Sequence, residues 1–141
     1  MTRPSVLLVL SLLSLSLAEQ NEQFGGQQAY DAEHIKEHLS GKVDPATFMT
    51  PEQLQFHYFN MYDLDKNSRL DGNELIKVIT HFHAHANQED KSQPPPLPSE
   101  LELEQLVDSI LTETDYDHNG LIDYGEFVLN QKIREQKAKE T

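Results

Sequence analysis

The sequence predicts an all-α fold, in which four helices form two helix–loop–helix hands and a short two-stranded ladder joins the loops. Three observations predict it. Two acidic twelve-residue loops, DLDKNSRLDGNE at 63–74 and DYDHNGLIDYGE at 115–126, repeat one pattern of residue types. Apolar residues at helical spacing flank each loop. A branched apolar residue, Leu70 or Ile122, stands at the eighth position of each loop, where a short strand fits.

The loops dictate the chemistry. In the second, Asp115, Asp117, Asn119, the Leu121 carbonyl, Asp123 and Glu126 occupy positions 1, 3, 5, 7, 9 and 12. That spacing is the EF-hand calcium pattern. Calcium takes about six to eight oxygens, and alternate residues of a tight loop point theirs at one centre. Gly120, at position 6, allows the sharp turn. In the first loop the same places hold Asp63, Asp65, Asn67, the Arg69 carbonyl, Asp71 and Glu74, with Ser68 at position 6 instead of glycine. Two bound Ca²⁺ ions are expected. An acidic, solvated turn is the plain alternative for either loop. Two loops in one frame, each between helical patterns, weigh against it. Lys66 and Arg69 in the first loop, with no Lys or Arg in the second, predict a tighter second site.

Along the chain, Arg3 precedes an apolar run from Val6 to Leu17, and Ser16-Leu17-Ala18 has a small-x-small form. Residues 1–18 read as a secretory signal peptide, too short to span a bilayer. Residues 19–49 read as a leader, polar and disordered to Tyr30, with one possible short helix at 31–40. Asp31 would cap that helix, Ile35 and Leu39 would share a face, and Gly41 would stop it. It either docks on the domain or waits for a partner. The first hand spans 50–84. Thr50, Pro51 and Gln53 form a capping box with proline at the first helical position. Leu54, Tyr58, Phe59, Met61 and Tyr62 make the apolar stripe, and Leu75, Val78, Ile79 and Phe82 make that of the outgoing helix. Residues 85–98 form a linker ending in a proline run, stiff and extended. The second hand spans 99–133. Ser99 and Glu102 box its first helix, whose stripe is Leu103, Leu106, Val107, Ile110 and Leu111. Its last helix begins near Tyr124 and carries Phe127, Leu129 and Ile133. A charged tail, 134–141, follows, and residues from Lys132 onward are expected to fray. Neither hand can bury its apolar face alone, so the two should pack as one globule over 50–133.

His81 and His85 share a helix face beside His83, which suggests a transition-metal pair. No carboxylate or cysteine lies in step with them. The plainer expectation is a solvated helix end, its imidazoles facing the negative end of the dipole.

Composition narrows the function classes. The 141-residue chain carries a net charge of −13, which disfavours nucleic acid and anionic membrane surfaces as partners. No direct membrane insertion is expected. Cysteine is absent, so a bound metal is the natural staple for a small secretory domain. No Asn-x-Ser/Thr sequon occurs, so no N-glycan is expected. No Ser/His/acid set stands out from the loops, and the acidic clusters are accounted for by calcium geometry, so an enzyme is not expected. Beyond Met1, only Met49 and Met61 remain, too few for the methionine-rich groove of a many-target sensor.

Three stretches, EHIKEHL at 33–39, MTPEQLQFHYFNMYDLDKNSRLDGNEL at 49–75 and DYDHNGLIDYGEFV at 115–128, resemble the family of multiple coagulation factor deficiency protein 2. These are small soluble EF-hand proteins of the early secretory pathway. The resemblance implies calcium at the two ligand sets named above. It also implies a calcium-dependent partner, an L-type mannose-binding lectin that shuttles between endoplasmic reticulum and Golgi, and a role in carrying secreted glycoprotein cargo. The alternative is a soluble calcium buffer, or a secreted EF-hand protein without an obligate partner.

Overall fold

A computed structural model describes residues 24–44, 47–86 and 96–141. The apolar run at 1–18 and most of the proline linker lie outside these residues, as do the side chains of Phe82, His83 and His85. A 3₁₀ turn at Gly26–Tyr30 leads into helix α1 (Ala32–His38). The first hand follows: α2 (Pro51–Tyr62), β1 (Arg69–Leu70) and α3 (Gly72–Ala86). The second hand is α4 (Glu100–Thr114), β2 (Ile122–Asp123) and α5 (Tyr124–Glu140). The mostly helical EF-hand pair with a two-stranded antiparallel ladder is the predicted fold class. Leu70 pairs with Ile122 and Arg69 with Asp123.

Local chemistry explains the helix starts. Thr50 and Gln53 bond reciprocally across the first turn of α2, at 3.2 and 2.9 Å. Ser99 and Glu102 do the same for α4. A third box, Asp123 with Glu126, opens α5 inside the second loop. Here one pair of residues both starts a helix and serves the loop.

The core is aromatic at its centre. Tyr58 and Phe127 stack at 5.8 Å, and Phe59 and Tyr124 close against them. Leu70 and Ile122, at the ladder, are fully buried, as are Leu75, Val78 and Ile79. Leu129 departs from the expected stripe and is 46% exposed.

Two segments expected to be loose are ordered, and each orders the other. Phe24 lies in the core, its ring 5.4 Å from that of Phe127. Ala29 and Ile35 are fully buried, so the leader helix docks and the core extends beyond 50–133. The last helix does not fray at Lys132 but continues to Glu140. Gln131 accepts a hydrogen bond from the Gly26 amide at 2.8 Å, and Arg134 donates to the Phe24 carbonyl at 2.8 Å. Tyr30 donates to Glu135 at 2.6 Å, and the Gly25 amide donates to the Tyr58 hydroxyl. Gly25 has φ of +78°, and a Cβ there would stand 2.6 Å from Gln131 Oε1. Only glycine fits that approach.

Candidate metal centres

Each loop winds around its own carboxylates. In the second, Glu126 Oε1 accepts from the Tyr116 and Asp117 amides, and Oε2 accepts from the Asp123 amide. Asp117 accepts from the Asn119 amide at 3.1 Å, and Asn119 Oδ1 accepts from the Leu121 amide at 2.8 Å. Asp115 Oδ2 accepts from the Gly120 amide at 2.8 Å. The first loop repeats these bonds. Glu74 takes the Leu64, Asp65 and Asp71 amides, Asn67 takes that of Arg69, and Asp63 takes that of Ser68. The structure therefore brings Asp63, Asp65 and Glu74 together, and Asp115, Asp117 and Glu126, each within 4.8 Å. Asn67 and Asp71, like Asn119 and Asp123, are held on the same loops by the bonds just described. Arg69 and Leu121 sit at the ladder's edge, Arg69 inside β1 and Leu121 one residue before β2.

The residues fit a hard cation. Asp63, Glu74, Asp115 and Glu126, at positions 1 and 12, are all buried. Asp63 Oδ1 has no hydrogen-bond partner in the structure. A buried, unpaired carboxylate oxygen is costly, and a cation relieves that cost. Like charges also perturb the loop. Desolvation raises the Asp117 pKa above its ordinary value, with the charges of Glu126 and Asp115 adding to it. At Asp115 desolvation works the same way, but the Gly120 and Asn119 amides outweigh it and hold the carboxyl low. Ser68 adopts φ of +67° at position 6, matching Gly120 at +80°. Position 4 is also left-handed in both loops, at Lys66 and His118, which the sequence reading missed.

A family model described as an EF-hand domain pair matches residues 51–129. This chain belongs to the EF-hand family. The pair implies calcium binding, and the two acidic clusters are where the ions fit. The chain is 32% identical to longistatin of Haemaphysalis longicornis over 100 residues. That match covers 68% of this chain and 63% of longistatin, less than two thirds of the relative's length.

This EF-hand protein holds a third donor cluster. His34 and His38 lie one turn apart on α1, and His81 comes from α3. Their ring centroids are 4.8 to 5.0 Å apart. One nitrogen from each lies within 4.8 Å of the others. Three imidazoles are a donor set for zinc-class ions. Tyr62 Oη is 2.8 Å from His81 Nδ1. The expectation of a solvated helix end is thereby corrected for His81, which meets the leader helix; the side chains of His83 and His85 lie outside the described residues. The signal was present as His-x₃-His within HIKEHL, but its partner lay far along the chain.

Proposed function

We propose that this EF-hand protein works in the lumen of the secretory pathway, in a non-catalytic role, as a calcium-set binding module. One observation carries the reading: two loops wound for an ion, with buried carboxylates at positions 1 and 12, share one ladder and one core. The apolar N-terminal run supports the location. In its simplest form the protein is a soluble calcium binder without an obligate partner, and the EF-hand match and the longistatin likeness support that form best.

A specific observation favours a second form, an adaptor for an L-type mannose-binding lectin carrying glycoprotein cargo. The stretches that carry the family resemblance are packed together. Ile35 of HIKEHL is fully buried, and Tyr58 and Phe59 of TPEQLQFHYF lie in the same core. Calcium would act by shape, since each loop supplies most of its own ligands. The ion would bias the outgoing helices and the surface they present.

Pull-down from secretory-pathway lysate, with and without chelator, tests both. The adaptor form predicts one dominant lectin, retained in calcium and in excess sugar and lost with Asp123→Ala. Normal lectin binding by Asp123→Ala in chelator contradicts the calcium switch. Loss of all lectin capture in calcium leaves the simpler form.

A further inference from the structure

We propose that the outward face of α5 docks on a second copy of this chain, in the acidic-rimmed groove between the first turns of α3 and α4. The charged partners of this contact lie outside both calcium loops.

The groove has a volume of about 790 Å³. Ile76 of α3 and Leu101 and Leu103 of α4 give it an apolar lining. Leu101 is 63% exposed, a large apolar side chain left in water. Along one edge run Glu100, Glu104 and Asp108, four residues apart and all exposed. Like charges at that spacing destabilise a helix. Glu104 and Asp108 also lie beyond the first turn of α4, where the helix dipole would favour an acid. No Lys, Arg or His is among the described residues that line the groove. It therefore suits an apolar segment flanked by cations.

The docked leader fixes which way α5 faces. Gln131 and Arg134 turn inward to Gly26 and Phe24, and Phe127 enters the core. At about 100° per residue, the opposite face carries Leu129 and Ile133, four apart, with Lys132 on one flank and Lys137 on the other. Leu129 is 46% exposed, Ile133 is half-buried and both lysines are exposed. From Glu135 onward every residue of the helix is exposed, so this face stands clear of its own globule.

The two surfaces complement each other. Grooves that take helices read apolar anchors one turn apart, and Leu129 and Ile133 have that spacing. With a lysine on each flank of the stripe, one faces the ridge of Glu104 and Asp108 whichever way the helix runs. Rim charges of this kind set register and exclude wrong partners, while the apolar anchors supply the contact.

Charge points to a second copy as the occupant. The chain carries a net charge of −13, yet four of its 11 cations, Lys132, Arg134, Lys137 and Lys139, fall on the last turns of α5. Its own α5 contributes nothing to the lining of the groove and is held elsewhere by the leader, so another molecule must supply the helix.

The test is sedimentation velocity on the full chain, expressed and processed in a secretory host, in calcium and up to millimolar concentration. The weight-average mass should rise reversibly with concentration. A groove variant, Glu104→Lys with Asp108→Lys, and a tail variant, Lys132→Glu with Lys137→Glu, should each weaken association at least about tenfold, because like charges then meet. The groove variant also lowers the net negative charge, which would strengthen association if general repulsion governed it. Mixing the two variants should restore association, since the new lysines of one meet the new glutamates of the other, and restoration shows that both are folded. Leu129→Ala should weaken association severalfold. A native chain that stays monomeric throughout overturns the proposal and leaves the groove to a different protein. Undiminished association of either charge variant or of Leu129→Ala, or a mixture that associates no better than its components, overturns it as well.

Discussion

The two loops fold around the same set of hydrogen bonds and differ in what occupies them. Ser68 and Gly120 hold the same left-handed turn at position 6, but only Ser68 incurs the Cβ clash, about 1–2 kcal/mol. Position 4 is left-handed in both loops, so that strain does not separate them. The cations of the first loop matter less than their number suggests. Lys66 donates to the Asn60 carbonyl in the last turn of α2, the negative end of that helix, at 2.7 Å. Arg69 remains, facing solvent. At position 1, Asp63 leaves one oxygen unpartnered, whereas both Asp115 oxygens accept backbone amides. A shared frame thus fits both loops to calcium, and the residue at position 6 is the expected main source of unequal affinity.

Removing the ion from both loops should have the largest effect. The four buried carboxylates at positions 1 and 12 then repel without a disulfide to oppose them. Calcium at a hundred times each dissociation constant contributes about 2.7 kcal/mol per site, about 5 kcal/mol together. Chelation should lower the melting temperature by roughly 20 °C or more and reduce helicity by circular dichroism. Unchanged helicity and melting would mean that the frame stands without the ion.

Next is the ladder that joins the loops. Leu70 and Ile122 are fully buried partners. Leu70→Ala should cost about 2–5 kcal/mol in chemical denaturation. It should also uncouple the sites, so that calcium binds in two resolved steps by calorimetry. A single cooperative step in the variant would place the coupling elsewhere.

The smallest change sharpens the comparison most. Ser68→Gly should tighten the first loop by up to about tenfold, and Gly120→Ser should weaken the second by a similar factor. Calcium titration of the two variants checks this. Effects of equal sign would remove position 6 from the explanation.

The loops, the clustering of their acids and two capping boxes were legible because they are local. Each rests on residues within twelve positions of one another. The leader and the tail were not. Gly26 bonds Gln131 and Arg134 bonds Phe24 across more than a hundred residues, and neither segment carries a periodic apolar stripe of its own. Phe24 has no apolar neighbour in sequence with which to form a pattern, yet its pocket between Tyr58 and Phe127 is complete. The histidines failed for the same reason. The sequence pairs His81 with His85 on its own helix, while its neighbours in space are His34 and His38 on another.

The most direct measurement is calorimetric calcium titration of Glu74→Gln beside Glu126→Gln. Each removes one charge from a buried position-12 carboxylate. Breaking such a contact costs about 3–5 kcal/mol, or roughly 10²- to 10⁴-fold at its own site. If the loops share a frame and differ at position 6, Glu126→Gln removes the tighter site and leaves the weaker, while Glu74→Gln leaves the tighter site intact. A larger loss of total affinity from Glu74→Gln than from Glu126→Gln would contradict that ordering.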